Sequence, residues 1–294
     1  MKLKHKKIWA ALAGALALLL ALLLAMLIAQ TLVAHRPGCY FAPDYPQVDL
    51  TQVLNKAALE GEDYRLIFLQ TGLGRSAADR LLSAGEAGRA AIRQTQADFF
   101  APAELTCDPL LGWFTREDHL RDDAGGRVWA PEMADLQPGD LVLTLSTHSL
   151  GWRHGHAGLV VETEDGLATL ECVVLGTDSQ VMNAGHWRGY SNYAVLRVKG
   201  LDAAQRRACA DYALEHLVDI PYHLSAGFIG PKAPSPDSFY FGLHCSYLVW
   251  YAWNAMGVDL DSDGGRLAST YDLLHSDQVE IVQIFGMDPR EWIT

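Results

Sequence analysis

The first hydrophobic pattern along the chain is a run of 22 residues, from Ile8 to Ala29, without a polar side chain. At 1.5 Å per residue the run spans about 33 Å, enough to cross a bilayer core of about 30 Å. Residues 1–34 carry four lysines and no acidic residue, which favours a cytoplasmic N-terminus. We therefore predict a single-pass signal anchor that places the rest of the chain outside the cytoplasm. The alternative is a long cleaved signal ending near Ala34, although such signals usually have hydrophobic regions of only about 7–15 residues.

Short helical patterns follow the apolar run. Residues 35–48 contain prolines and aromatic side chains and are typical of a linker. The residues after the linker have apolar spacings and breaks that predict four helices, over 49–59, 62–71, 76–82 and 86–99. We divide the chain into a cytoplasmic tail with its anchor (1–34), a linker with a helical extension (35–130) and a third region (131–294).

The third region has a different pattern, in which short apolar runs alternate with turn residues. These runs predict strands over 141–145, 156–163, 167–174, 193–198 and 279–285. Asp202 caps a predicted helix that runs from Ala203 to about Val218. A second predicted helix runs from Cys245 to Met256 and ends at Gly257. Antiparallel strands followed by packed helices are typical of an α+β domain.

The composition of the chain limits the classes of molecule that it is expected to bind. Half of the residues are hydrophobic, which is enough for a sizeable core, and the net charge is −12. The N-terminal lysines are the only charges of the anchor region, so the remainder of the chain carries −16. Such a surface repels nucleic acid, and no basic run with interleaved aromatic residues follows residue 35. We predict no nucleic-acid partner and no cofactor.

The five cysteines are an odd number, which outside the cytoplasm leaves at least one thiol free or intermolecular. Cys245 is the natural unpaired one. Cys39 and Cys107 flank the helical extension and could form a disulfide, but the sequence does not fix this pairing. Cys172 and Cys209 have the surroundings of buried core thiols.

One histidine and one cysteine carry the candidate chemistry. His156 begins a predicted strand between Gly155 and Gly158, and Cys245 lies in the first turn of a predicted helix. A thiol at a helix N-terminus is favoured as thiolate, and a histidine beside it can take its proton and later return it. The pair predicts a cysteine hydrolase or acyltransferase. The alternatives are a core histidine and a buried helix cysteine.

Several motifs in the third region resemble one known family. They are Pro138-Gly139-Asp140, His156-Ala157-Gly158, Glu171, Pro221-Tyr222 and Cys245-Ser246 with Leu248-Val249. This set resembles the circularly permuted NlpC/P60 family, the YiiX/YaeF branch of papain-like amidases, in which histidine precedes cysteine. The resemblance covers about residues 130–290 and implies a permuted papain-like α+β fold, with an antiparallel sheet packed against helices. It also implies a cysteine nucleophile, a histidine base and a third polar residue, which map onto Cys245, His156 and Glu171. Tyr247 departs from the pattern, since relatives often carry an acid there, and this affects local substrate contacts.

The position of Glu171 depends on the register of a hairpin. A two-residue turn at Asp165-Gly166 would pair Glu171 with Val160, four residues or about 13 Å from His156. A four-residue loop over 162–165 would set Glu171 opposite His156. We predict this second register, or an equivalent bulge, so that Glu171 orients the imidazole. The alternative is a glutamate on the strand surface.

Three further residues are expected to line the substrate site. Tyr222 precedes the cysteine by 23 residues and is expected to face the cleft and donate a hydrogen bond to substrate; the alternative is an ordinary amphipathic tyrosine. Trp152 and His154 precede His156 closely and are assigned to substrate binding. Backbone amides at the start of the Cys245 helix are the expected oxyanion donors.

No metal site is predicted. His154 and His156 share one strand face and His148 is near, but no third ligand with zinc-site spacing is evident. The aspartates of segment 259–264 resemble the first half of a calcium loop. Its twelfth position is Thr270 rather than glutamate, so we favour a solvated acidic turn.

The sequence thus predicts a membrane-anchored, extracytoplasmic thiol amidase that acts through a Cys-His-Glu triad and an acyl-enzyme. The resemblance implies peptide or N-acyl amide substrates, and cell-wall peptides suit the location. A second hypothesis is a lipid-directed acyltransferase or phospholipase with the same triad, suggested by the anchor together with Trp152, Phe228 and Phe239. A third is a catalytically silent binding domain on a stalk.

Overall fold

The computed structural model describes residues 2–34, 40–111, 115–149 and 152–293. Within these ranges the helices are α1 (Lys2–Ala34), α2 (Thr51–Leu54), α3 (Gly61–Thr71), α4 (Arg75–Leu82), α5 (Glu86–Phe99), α6 (Ala203–His216), α7 (Cys245–Ala255) and α8 (Thr270–Leu274), with 3₁₀ turns at Ala184–Gly189 and Pro289–Trp292. The strands are β1 (Glu104–Leu111), β2 (Thr115–Arg121), β3 (Arg127–Val128), β4 (Leu141–Thr144), β5 (Thr147–Ser149), β6 (His156–Thr163), β7 (Gly166–Glu171), β8 (Gln180–Asn183), β9 (Tyr193–Val198) and β10 (Val279–Phe285).

The N-terminal helix α1 contains the predicted apolar run. Its stretch Lys6–Ala29 is long and apolar enough to cross a membrane, and none of it is buried against the rest of the protein. A signal sequence near an N-terminus has the same length and composition. The chain therefore begins with one apolar helix of membrane-spanning length.

Six antiparallel strands form the main sheet, in the order β10-β9-β4-β6-β7-β8. The five strands predicted from alternation in the third region are present as β4, β6, β7, β9 and β10. The central pair, β4 and β6, is buried on both faces, which explains its continuous apolar runs. Mixed helices and antiparallel sheets confirm the α+β class.

Helices α6 and α7 pack on one face of this sheet, and both contact β6. Asp202 caps α6 as predicted, because its carboxylate accepts a hydrogen bond from the Gln205 amide. Every residue of α7 from Ser246 to Trp253 is buried, so this helix is the centre of the largest apolar core. Its close packing against β6 places the start of the helix beside the start of the strand.

The helical extension covers the other face of the sheet at β9 and β10. Both sides contribute to one buried cluster, which includes Ile67, Leu73, Ile92, Tyr193, Val195, Val282 and Phe285. Gly72 lets the chain pass close to β10, since a Cβ atom there would lie 2.0 Å from the Ile284 carbonyl oxygen. The extension and the main sheet thus share a core.

Two features of the region before residue 131 differ from the sequence prediction. The helix predicted over 49–59 is limited to α2. Strands β1, β2 and β3 form a second, smaller antiparallel sheet that β5 joins by pairing with β2, whereas only helices were predicted there. The strand signal is absent because buried positions of β2 are polar, among them Asp118 and His119. Cys39 lies outside the described residues, and Cys107 is a free thiol.

Candidate active site

The chain reaches the site histidine through a tight turn. Gly155 has a positive φ of 69°, and a Cβ atom at this position would lie 2.5 Å from the Thr144 carbonyl oxygen. Only glycine accepts both conditions without strain. His156 then opens β6 in register with Thr144 of β4 and is buried.

The structure brings Cys245 to this histidine. Cys245 is the first residue of α7, and its side chain is hydrogen-bonded with the His156 imidazole. Burial raises the pKa of the thiol, but hydrogen bonds and charge from His156 and His244 outweigh burial and lower the pKa well below its usual range. The helix N-terminus adds a field of the same sign. Cys245 is thus poised as a thiolate.

Glu171 lies on the opposite side of His156 from the thiol. Its Oε2 is 2.7 Å from His156 Nε2, which leaves Nδ1 as the ring nitrogen for the sulfur. The predicted register is wrong in detail, since Thr163 pairs with Gly166 around a two-residue turn and Glu171 pairs with Gly158. Glu171 is therefore two residues out of register with His156, and its side chain spans the offset on the same face of the sheet.

Four donors surround the buried Glu171 carboxylate. Besides His156, they are His186 at 2.7 Å, Trp187 Nε1 at 3.1 Å and the Thr169 hydroxyl, all directed at Oε1. Burial alone raises the pKa of Glu171, but hydrogen bonds from His156 and His186 prevail and lower the pKa to about 2. The carboxylate therefore stays charged and fixes the imidazole.

The contacts of His156 with Cys245 and Glu171 also determine the protonation of its imidazole. Burial lowers its pKa, but the hydrogen bonds and charges of Cys245 and Glu171 outweigh burial and raise the pKa to about 10. The surroundings of the pair therefore favour thiolate and imidazolium.

Trp187 fixes the plane of the imidazole. Its ring stacks on His156 with centroids 5.1 Å apart and an interplanar angle of 9°. Gly158 provides the space, because a Cβ atom there would lie 2.9 Å from Trp187 Cζ2 and 3.0 Å from Glu171 Cγ. The glycine near the histidine thus makes room for the Trp187 and Glu171 side chains.

Cys245 opens onto a cavity of about 440 Å³. Trp152, His154 and Tyr222, the predicted substrate-binding residues, all line this cavity. The rest of the wall consists of Thr115, Ser149, Val173, Val174, Leu175, Leu224, His244, Ser246, Leu267, Ser269 and Thr270. The cavity is therefore largely apolar, with a few polar groups near the sulfur.

The polar groups of the wall form an ordered row. His154 Nδ1 donates to the Gly155 carbonyl oxygen at 2.7 Å, so its Nε2 accepts from the Ser149 hydroxyl at 3.0 Å. Burial lowers the pKa of His154 and keeps it neutral. Burial and the nearby Cys245 charge raise the pKa of Tyr222, so its hydroxyl remains a donor.

Of the two metal hypotheses weighed from the sequence, the histidine site finds no support in the described parts of the chain, whereas in the acidic segment Asp261, Asp263 and Asp272 each bring one carboxylate oxygen within 4.8 Å of the others. His154 and His156 do not belong to a common group of metal-ligating atoms among the described residues. In the acidic segment, the Lys232 ammonium contacts Asp261, and Asp259 accepts a hydrogen bond from Trp250 Nε1. These partners satisfy carboxylates that a calcium ion would need.

Sequence reasoning missed four residues of the site. Thr169, His186 and Trp187 surround Glu171, and only the adjacent His-Trp pair in a turn could have drawn attention to them. His244, the residue before the cysteine, was not predicted to belong to the site. Its Nδ1 accepts from the Tyr247 amide at 3.3 Å, which caps α7 and leaves the ring proton on Nε2. That nitrogen is buried and hydrogen-bonded to no oxygen or nitrogen among the described residues.

The sequence matches no protein-family model and no curated protein. Among solved structures, the chain is similar to the crystal structure of the metalloprotein YiiX from Escherichia coli O157:H7, with 20% identity and a TM-score of 0.38. The likeness covers 50% of this chain and 96% of YiiX. YiiX is a namesake of the branch that the motifs resemble.

Proposed function

We propose that this chain is a membrane-anchored thiol hydrolase of permuted papain-like fold that acts outside the cytoplasm and cleaves amide bonds. The observation that carries the proposal is the continuous contact from Cys245 through His156 to Glu171 beneath a cavity of about 440 Å³. Nucleophile, base and orienting group in mutual hydrogen-bond reach are the parts that acyl transfer needs.

The reaction follows from the protonation states. The Cys245 thiolate attacks the amide carbonyl carbon, forming a carbon–sulfur bond and an oxyanion. The His156 imidazolium gives its proton to the nitrogen as the carbon–nitrogen bond breaks, which leaves a thioester and a free amine. Water then attacks the thioester while His156 takes its proton, and the thiolate departs. Glu171 stays charged throughout and holds the ring.

The oxyanion would be stabilised at the start of α7. The backbone amides of the first turn lie at this end of the helix, and the buried His244 Nε2, which bonds no oxygen or nitrogen in the described part of the chain, adjoins the same sulfur. Replacing His244 with alanine should lower kcat and kcat/KM together by about 10²- to 10³-fold, as for other oxyanion donors. An increase in KM alone would contradict this role.

The cavity indicates which amides fit. Val173, Val174 and Leu267 offer apolar walls, and Leu175 and Leu224 continue this surface to the rim, where they are more than half exposed. An apolar acyl chain would gain about 0.8 kcal/mol for each methylene buried there. N-acyl amides therefore suit the cavity better than polar cell-wall peptides.

The same apolar wall favours a second candidate, a lipid-directed acyltransferase or phospholipase using the same triad. Phe228 and Phe239 lie exposed in the segment between Tyr222 and His244, where they could meet a bilayer. In this case the thiolate attacks an ester, and the leaving group is an alcohol rather than an amine.

Mass spectrometry of both protein and products separates these candidates. Wild type and Cys245→Ala would be incubated with wall peptides, N-acyl amides and phospholipid vesicles. We expect free amine and fatty acid from N-acyl amides, and an acyl adduct on the Cys245 peptide. Lysophospholipid as the main product would support the second candidate. Unchanged turnover in Cys245→Ala, or no product from any class, would refute the thiol mechanism.

The anchor is tested separately. If α1 is retained as a signal anchor, the protein isolated from membranes has the mass of the full chain and resists extraction at high pH. A mature protein beginning near residue 35 would instead indicate a cleaved signal.

A further inference from the structure

A second group of cysteine, histidine and acid lies in the small sheet, outside the triad. Cys107 of β1 and Asp118 of β2 are direct cross-strand partners, and His148 of β5 pairs with Arg116 of β2. Side chains two residues apart on β2 share one face, so the cysteine, the aspartate and the histidine meet on that face. Asp118 and His148 are fully buried.

The three ligand atoms converge on one point. His148 Nε2 is 3.5 Å from Cys107 Sγ and 3.3 Å from Asp118 Oδ1, and all three atoms lie within 4.8 Å of one another. A single ring nitrogen has one proton or one lone pair, so it bonds only one of these neighbours at a time; the Cys107 thiol also interacts with Asp118 and Arg116. The nitrogen–oxygen separation is also longer than the usual range of about 2.7–3.2 Å for such a hydrogen bond.

These separations suit a tetrahedral zinc ion. With zinc bonds of about 2.3 Å to sulfur and about 2.0–2.1 Å to nitrogen and oxygen, tetrahedral ligands lie about 3.5 Å (sulfur to nitrogen) and about 3.3 Å (nitrogen to oxygen) apart. Cysteine, histidine and aspartate are all established zinc ligands. We propose that Cys107, Asp118 and His148 bind one zinc ion, with water at the fourth position.

The surroundings fit this assignment. Arg153 donates to Asp118 Oδ2 at 2.8 Å, which orients the carboxylate and leaves Oδ1 for the metal. Without metal, burial and the Asp118 charge raise the pKa of Cys107 to about 11. Zinc binding would therefore release the thiol proton to solvent. His148 Nδ1 is buried without a partner among the described residues, and metal at Nε2 would place the ring proton there.

The ion would fix one wall of the cavity. Ser149 follows His148 on β5 and faces the other way, toward the cavity, where its hydroxyl is 2.9 Å from that of Thr115 and 3.0 Å from His154 Nε2. A metal that joins β1, β2 and β5 holds this hydroxyl row in place. Its role is structural and is independent of the thiol mechanism proposed above.

The test is zinc stoichiometry in the full-length protein in detergent. After metal removal by chelation, zinc chloride is added, the protein is desalted, and bound zinc is measured by elemental mass spectrometry. We expect one zinc per chain in wild type, Cys172→Ser and Cys245→Ser. In Cys107→Ser and His148→Ala we expect the affinity for zinc to fall by more than ~100-fold. Substitution of a residue that only supports a ligand lowers metal affinity by at most about that much.

Cys172→Ser is the matched control, because Cys172 is a free buried thiol in the other core. Substitution with cobalt gives a second measurement that does not depend on activity or stability, since a cysteine ligand produces a sulfur-to-cobalt charge-transfer band. The band should be present in wild type and Cys245→Ser and absent in Cys107→Ser. Equal zinc binding by Cys107→Ser and wild type, no zinc in wild type, or a band that persists without Cys107 would each overturn the proposal.

Discussion

The triad and the small-sheet cluster each contain a cysteine, a histidine and an acidic residue, in two different arrangements. In the triad, His156 uses Nε2 for Glu171 and has the other nitrogen for Cys245, whereas His148 presents Nε2 to both Cys107 and Asp118. The pKa of the Cys245 thiol is lowered, while that of Cys107 is raised to about 11. In the triad the histidine lowers the pKa of the thiol, whereas in the small sheet burial and the Asp118 charge raise it.

Replacing each cysteine in turn should separate the two sites most clearly. Cys245→Ala should lower kcat for N-acyl amide hydrolysis by at least about 10⁴-fold, because the nucleophile is lost. Cys107→Ser should change kcat/KM by less than about tenfold, or ~1.4 kcal/mol of transition-state stabilisation. Amine release, measured for both variants alongside their thermal unfolding, tests this. Comparable losses in both variants would erase the distinction between the sites.

Glu171→Gln should weaken the triad, because the amide keeps one accepting oxygen where the carboxylate has two, and it carries no charge. We expect kcat to fall by between about 10²- and 10⁴-fold, as when the acid of other triads is replaced by its amide. The loss of negative charge should also lower the pKa of His156 from about 10. Activity needs the imidazolium as proton donor, so the alkaline limb of the pH profile should move to lower pH.

Glu162→Gln is the control for this change, because Glu162 lies on β6 but pairs with Arg207 at the surface. It should leave both kcat and the alkaline limb as in wild type. An alkaline limb that stays in place in Glu171→Gln would mean that Glu171 does not act through the imidazole.

Alkylation rates should differ between the two thiols in the metal-free protein. The pKa of Cys245 is lowered well below its usual range, whereas Cys107, with a pKa raised to about 11, is almost wholly protonated at pH 6. We expect iodoacetamide to label Cys245 at least about 100-fold faster, even after allowing for the lower nucleophilicity of a low-pKa thiolate. Peptide mass spectrometry over a time course measures both rates. Similar rates at pH 6 would show that Cys245 is not activated.

A methyl group at Gly158 should have the smallest effect. Gly158→Ala places a Cβ atom 2.9 Å from Trp187 and 3.0 Å from Glu171, so the triad support must shift. Overpacking of this kind costs about 1–3 kcal/mol of unfolding free energy, measurable by denaturant titration. Gly61→Ala is the control, because no atom lies within 4 Å of the added carbon. An unfolding free energy equal to that of wild type would show that the packing beside His156 is loose.

The sequence predicted the residues of the site better than it predicted their support. His156 and Cys245 stand at element starts with glycine and cap signals that are local in sequence. For the register of Glu171 the sequence predicted a four-residue loop over 162–165, whereas the hairpin has a two-residue turn at 164–165, a difference that propensities do not resolve. Trp187 reaches the triad only through tertiary packing.

The small sheet was missed for a different reason. The pattern of β2 is polar although its side chains are buried, so hydrophobic periodicity gave no signal. Cys107, Asp118 and His148 are spread over 42 residues, and zinc spacings within one short segment could not reveal them. Strand pairing, rather than sequence distance, brings them together.

The core shared by the extension and the main sheet limits how the protein can be truncated. A fragment beginning at residue 131 would contain the whole triad, yet it would uncover Tyr193, Val195 and Phe285 to water. Those side chains would make the fragment prone to aggregate. Shortened versions of the protein must therefore keep residues 40–130. During evolution, a substitution on one side of this shared core is expected to be accompanied by a compensating substitution on the other side.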